Sequence, residues 1–211
     1  MKWLNLMLGS LLIANLAWAE KISPIDVVKI INFECPHCAT SNHLDSSFRK
    51  YINQYNGRLV IAPVSAQIET NAKDRVFYAV KKIDEESSFL VKDQIFRAYH
   101  EFNLKFDDTY QAEEWIKQEL QNTPVINLDW EAIAKLYFAP ETDKVMIKAL
   151  KIIIQNDLEN LPAYVFYKDG QVLKVVDYSE DGGIKDLKEN IYKAYDELTT
   201  KYQIPKKKKG E

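Results

Sequence analysis

The chain has 211 residues, of which 46% are hydrophobic and 12% aromatic, enough for one domain, or one carrying an insertion, to build its core without staples. The formal net charge of −3 excludes the broad basic surface that nucleic-acid binding needs.

Residues 1–19 do not read as part of a fold. Lys2 is their only charge, "WLNLMLGSLLIANLAWA" runs apolar to Ala19, and small residues stand at Ala17 and Ala19. A short basic start, an apolar middle and a small-residue end describe a secretory signal peptide. A membrane anchor is the poorer fit, because Asn5, Gly9, Ser10 and Asn15 interrupt a run already short for a span. "DVVKIINF", Asp26 to Phe33, is β-branched, apolar and free of Gly and Pro, and predicts a buried strand. After Cys38, "ATSNHLDSSFRKYINQY" predicts a helix with Leu44, Phe48, Tyr51, Ile52 and Tyr55 on one face, closed by Asn56-Gly57. "RLVIAPVSA" predicts a second strand from Arg58 to about Val64.

From Lys73 to about Leu158 the spacing is helical. "DRVFYAVKKI", "SSFLVKDQIFRAYHEF" with Ser87 as N-cap, "TYQAEEWIKQEL", "LDWEAIAKLYF" and "ETDKVMIKALKIIIQNDL" predict an inserted bundle. Alternation returns in "LPAYVFYKDGQVLKVVDY", where Asp169-Gly170 marks a hairpin. "IKDLKENIYKAYDELTTKY" closes the fold as an amphipathic helix, and "PKKKKGE" is a solvated tail. A parallel unit followed by an antiparallel hairpin gives an α/β fold with a mixed sheet and helices on both faces. The expected division is signal peptide 1–19, sheet domain 20–72 and 159–203, helical insertion 73–158, and basic disordered tail 204–211.

Cys35 and Cys38 are the only cysteines. Export permits their oxidation, yet a bridge between them closes almost no loop and would stabilise little. They read as reactive rather than structural. With Cys35 as the first residue of a helix, free N–H groups and the helix dipole favour thiolate. Pro36 fits the first turn, and a protonated His37 adds positive charge. Such thiols titrate at roughly 3.5–7.5. Cys38, deeper in the helix, is the resolving partner. Stabilising the thiolate stabilises the reduced protein, so the disulfide is an oxidising one. A zinc set of Cys35, His37, Cys38 and His43 is disfavoured, because all four crowd one strand–helix junction. His43 and His100 read as surface or packing residues. No cofactor or metal is expected.

"CPHC" after a buried strand, a helical insertion, then "LP" opening the next strand resembles the DsbA-like branch of the thioredoxin-fold oxidoreductases, from about Val27 to Leu198. The resemblance implies a thioredoxin fold with an inserted helical domain. It implies a thiol:disulfide interchange protein of a bacterial periplasm, with Cys35 attacking and Cys38 resolving. Reduced exported proteins would be its substrates, a membrane protein its redox partner, and the monomer its working form. It also implies a cis Leu161–Pro162 peptide facing the disulfide, with Leu161 and Pro162 binding substrate. A proline there leaves the backbone of Asn160 and Leu161 free to pair with an extended chain. One departure is Lys29, six residues before Cys35, where many thioredoxin-fold proteins carry an acid. A lysine there is expected to favour the thiolate. Glu34 is expected on the rim, opposing the thiolate modestly. The alternatives are a periplasmic reductase or isomerase, and a chaperone-like module binding a secretion-system client.

Overall fold

The computed structural model describes residues 23–66, 71–121 and 127–207. The expected signal peptide lies outside the described residues. Among those described, no helix is long and apolar enough to cross a membrane.

The strand β1 (Asp26–Ile31) leads through a turn into a helical rod. The rod comprises α1 (Pro36–Thr40), one 3₁₀ turn and α2 (Leu44–Asn53), and the chain then returns as β2 (Leu59–Pro63). Five helices follow: α3 (Ala72–Ile83), α4 (Glu85–His100), α5 (Thr109–Leu120), α6 (Trp130–Ala134) and α7 (Pro140–Gln155). The hairpin β3 (Ala163–Lys168) and β4 (Gln171–Asp177) and the helix α8 (Gly183–Lys201) complete the chain. The sheet order is β2-β1-β3-β4, with β1 parallel to β2 and antiparallel to β3. Asp169 and Gly170 turn the hairpin at φ 52° and 78°, the left-handed pair that a two-residue turn between twisted strands requires.

Central placement explains why β1 is apolar on both faces. Val27 and Ile31 join Phe48, Ile52, Ile191, Tyr195 and Leu198 beneath α2 and α8. Ile30, one pleat away, joins Ala62, Val64, Ala163 and Val165 beneath Ala149 and Ile152 of α7. So α7, expected as the last helix of the bundle, supplies the layer on the sheet's second face. Phe33 extends the first core into the helices, edge-on to Phe77 of α3 at 6.0 Å and to Phe96 of α4 at 5.1 Å.

Local chemistry moved several expected boundaries. Asp84 caps α4, accepting the Glu86 N–H at 3.0 Å, and Ser87 donates its hydroxyl to Asp84 instead of capping. The α6 segment is helical only to Ala134, after which Leu136 and Tyr137 bond back three residues and Pro140 opens α7. The first residues of the expected tail are tied down. Ile204 is buried, and Lys207 donates from its backbone to Gln54 at 2.6 Å and from its ammonium to Asn53 at 2.8 Å. Residues 208–211 lie outside the described residues.

At the end of α2, Asn56 takes the left-handed conformation, φ 62°, while Gly57 serves a different need. A Cβ on Gly57 would fall 2.5 Å from the Ile25 carbonyl oxygen and closer still to the Tyr195 hydroxyl. Both belong to one buried joint, since Tyr195 donates its hydroxyl to Ile25 at 3.2 Å. We predict that Gly57→Ala destabilises the protein by about 1–3 kcal/mol through overpacking. Urea denaturation should show a lower midpoint at unchanged slope.

Candidate active site

The polypeptide leaves β1 through a tight turn. Asn32 accepts the Cys35 N–H on its carbonyl at 3.1 Å and the Glu34 N–H on its side chain at 2.7 Å. The turn places Cys35 one residue earlier than the sequence predicts. It is the N-cap of α1, extended at φ −79° and ψ 119°, with Pro36 as the first helical residue. Its sulfur takes the place of the oxygen of a usual cap and accepts the Cys38 N–H at 3.3 Å. On its other side the Cys35 thiol faces the carbonyl oxygen of Leu161 at 3.5 Å. The Leu161–Pro162 peptide is cis.

The two cysteines, both present as thiols, occupy different environments. Cys35 is half-buried and Cys38 is fully buried. A hydrogen bond from the Cys38 thiol is the largest influence on Cys35. Burial opposes it, and the backbone N–H groups of Cys38 and His37 and the charge of His37 add to it. Together they bring the thiol from 9.0 to about 6. Burial, and then the neighbouring Cys35, push the Cys38 thiol far up. One sulfur is poised as an anion and the other is held as a thiol.

Lys29 is not a rim residue. Period-two alternation puts it on the same face of β1 as Val27 and Ile31, and it is 1% exposed. Its ammonium lies 2.6 Å from Asp45 of α2, and Asp45 also binds Lys92 of α4. Burial works against the Asp45 carboxylate, but the two lysines hold it below the usual carboxylate range. Lys29 acts on Cys38, whose thiol its charge draws downward against the effect of burial. Glu34 is exposed as expected, but its charge is matched by Lys73 of α3 at 2.7 Å. The hydrogen bond to Lys73 holds the Glu34 carboxyl low.

The histidines separate by role. His37 stacks on Tyr178, ring centroids 4.1 Å apart and planes 17° from parallel. His43 is exposed and bonds Thr40 through its ring at 2.7 Å, while His100 donates to the Phe33 carbonyl at 2.9 Å. Among the described residues no three His, Cys, Asp or Glu side chains converge as metal ligands. A groove of about 570 Å³ between α2 and α4 has Asp45 and Lys92 in its lining, both almost wholly withdrawn from water; neither cysteine borders it.

Sequence reasoning missed Asp45, Lys92 and Tyr178. The signal for Asp45 was present: it precedes Phe48 by three and Ile52 by seven, on the buried stripe of α2. Lys92 likewise precedes Ile95 and Phe96. Tyr178 closes an alternating strand and carried no distinguishing signal.

At the level of sequence, no protein-family model and no curated protein matches the chain. Solved structures do. DsbA of Pseudomonas aeruginosa superposes with a TM-score of 0.66 at 16% identity, covering 87% of this chain and 88% of that one. Reduced DsbA1 from Neisseria meningitidis gives 0.63 at 18% identity, covering 86% and 88%. The oxidoreductase DsbA from Xylella fastidiosa gives 0.58 at 16% identity, covering 84% and 87%. The fold is therefore the thioredoxin fold with helices inserted between β2 and β3, as in these DsbA structures.

Two outcomes follow. The reduced protein should show a thiolate absorbance step near pH 6 that Cys35→Ser abolishes. The folded form binds fewer protons than the unfolded chain between pH 6 and 9. Its stability relative to reduced Cys35→Ser should therefore rise through that window, and the gain should vanish as pH falls through 6. Urea denaturation in excess reductant checks the sign. Separately, Asp45→Asn should cost about 3–5 kcal/mol by leaving two lysines buried without their counter-charge. Replacing Lys29, Asp45 and Lys92 together by Met, Leu and Met should cost far less. Equal losses would refute this account of the cluster.

Proposed function

We propose that the chain is a thiol:disulfide oxidoreductase that forms disulfides in exported proteins through the Cys35–Cys38 pair. The observation that carries the reading is the inequality of the two sulfurs. Cys35 is accessible and held near pKa 6 by Cys38 and the start of α1, while Cys38 is buried and protonated. The three structures named above that share the fold are DsbA proteins, which supports the same class of chemistry here.

In the oxidised protein a substrate thiolate attacks the Cys35 sulfur. The Cys35–Cys38 bond breaks, and Cys38 leaves with its electron pair and takes up a proton. A second substrate thiolate then attacks the substrate sulfur of the mixed disulfide. The bond to Cys35 breaks and Cys35 departs as thiolate. The substrate loses two electrons and two protons, and the protein gains both electrons. The low pKa of Cys35 makes it the better leaving group in the second step. Lys29 lowers the cost of negative charge on Cys38 in the first.

Leu161 and Pro162 are the substrate edge in this reading. The Leu161 carbonyl already faces the Cys35 sulfur, and proline has no N–H to compete for an extended chain. Reduced exported proteins are the substrates, the periplasm is the compartment, and a membrane redox protein restores the disulfide. The working form is the monomer.

The deciding experiment equilibrates Cys35 and Cys38 against a glutathione buffer. A stabilised Cys35 thiolate predicts a potential between about −180 and −120 mV, the range of oxidising members of the fold. A value near −270 mV, that of a thioredoxin, would replace the oxidase by a reductase.

A further inference from the structure

Tyr178 follows β4 directly and stands outside the reaction as written above, yet it touches both halves of the site. Its backbone N–H donates to the Pro162 carbonyl at 3.0 Å, one step beyond the Ala163–Asp177 pair of the β3–β4 ladder. Its ring lies flat against the His37 imidazole at 4.1 Å. The two partners differ in freedom. Tyr178 is 8% exposed and packed into the main core, so its ring has a fixed place. His37 sits in the first turn of a five-residue helix, half-exposed, and the Tyr178 ring is the aromatic partner it stacks on.

We infer that Tyr178 is a positioning residue that locks the His37 ring beside Cys35 and ties it to the Leu161–Pro162 edge, so that the redox motif and the substrate edge hold one geometry. The inference rests on the proposed oxidoreductase reading for its purpose, but not for its measurement. The stack is a near-parallel ring pair, which planar side chains form and branched aliphatic ones do not. A histidine fixed there keeps its charge, when protonated, at constant range from the Cys35 sulfur. Released, it spends time in rotamers pointing to solvent, and the thiolate loses part of its support. The Tyr178 hydroxyl makes none of these contacts, so phenylalanine should serve as well as tyrosine.

The test titrates the Cys35 thiolate by absorbance in the reduced full chain and in Tyr178→Phe, Tyr178→Leu, His37→Ala and the Tyr178→Leu/His37→Ala double variant. Tyr178→Phe should match the parent. Tyr178→Leu should hold roughly threefold less thiolate at pH 5, well below the midpoint, a shift of about half a pKa unit. The double variant should titrate as His37→Ala alone, because the tyrosine acts through the histidine. A parent-like Tyr178→Leu, or a shift that adds fully to that of His37→Ala, overturns the inference. Should Tyr178→Leu not fold, the ring protons of His37 in the parent decide. Stacked on Tyr178 they resonate upfield of those of exposed His43; coincident positions overturn the inference. A thioredoxin-like potential would sink the oxidase while leaving this coupling measurable.

Discussion

A single buried carboxylate joins the three layers that carry the site. Asp45 belongs to α2, Lys29 to the central strand and Lys92 to the second inserted helix, and all three side chains are withdrawn from water. Removing charges from water is costly, and the cost is offset only where the partners meet in one geometry. The cluster therefore acts as a constraint on position more than as a source of stability. The strand cannot slide against α2, nor α4 tilt from it, without separating charges that have no solvent to turn to. The rod headed by Pro36 is thereby placed against the sheet and the insertion together.

The chemistry of the site follows from where that rod begins. Because Cys35 is the cap and Cys38 lies inside the first turn, the same few peptide groups treat the two sulfurs oppositely. The outer sulfur receives an N–H and a thiol hydrogen bond. The inner one is enclosed by the core and meets the field of Lys29 only against a larger effect of burial. No cofactor is needed to distinguish them. Glu34, which by proximity alone would oppose the anion, is matched by Lys73.

How much of this was legible in the sequence depended on the range of the interaction. The strands were legible because their periodicity is local, and the hairpin because Asp169-Gly170 suits left-handed backbone. Cys35 and Cys38 stood out because the motif is contiguous. The cap of α4 was missed by three residues because Ser87 and Asp84 are both good cap formers, and only the hydrogen bonds rank them. The place of α7 was missed because helical spacing shows that a face is buried, not against what. Lys29 shows the same limit. Its place in a strand buried on both faces was readable, but its counter-charge, Asp45, lies 16 residues along the chain, and Lys92, the cation that shares this carboxylate, lies 63 along. Tyr178 meets His37 only once the sheet has formed.

Phe33 carries a mechanical consequence. Its ring is wedged between α3 and α4, and its carbonyl is gripped by His100 at the end of α4, two residues before the outer sulfur. A helical cap hung on a loose tether would swing without disturbing the strand end. This one is bolted to it, so any displacement of the inserted helices is transmitted through an aromatic lever to the turn that carries the outer sulfur.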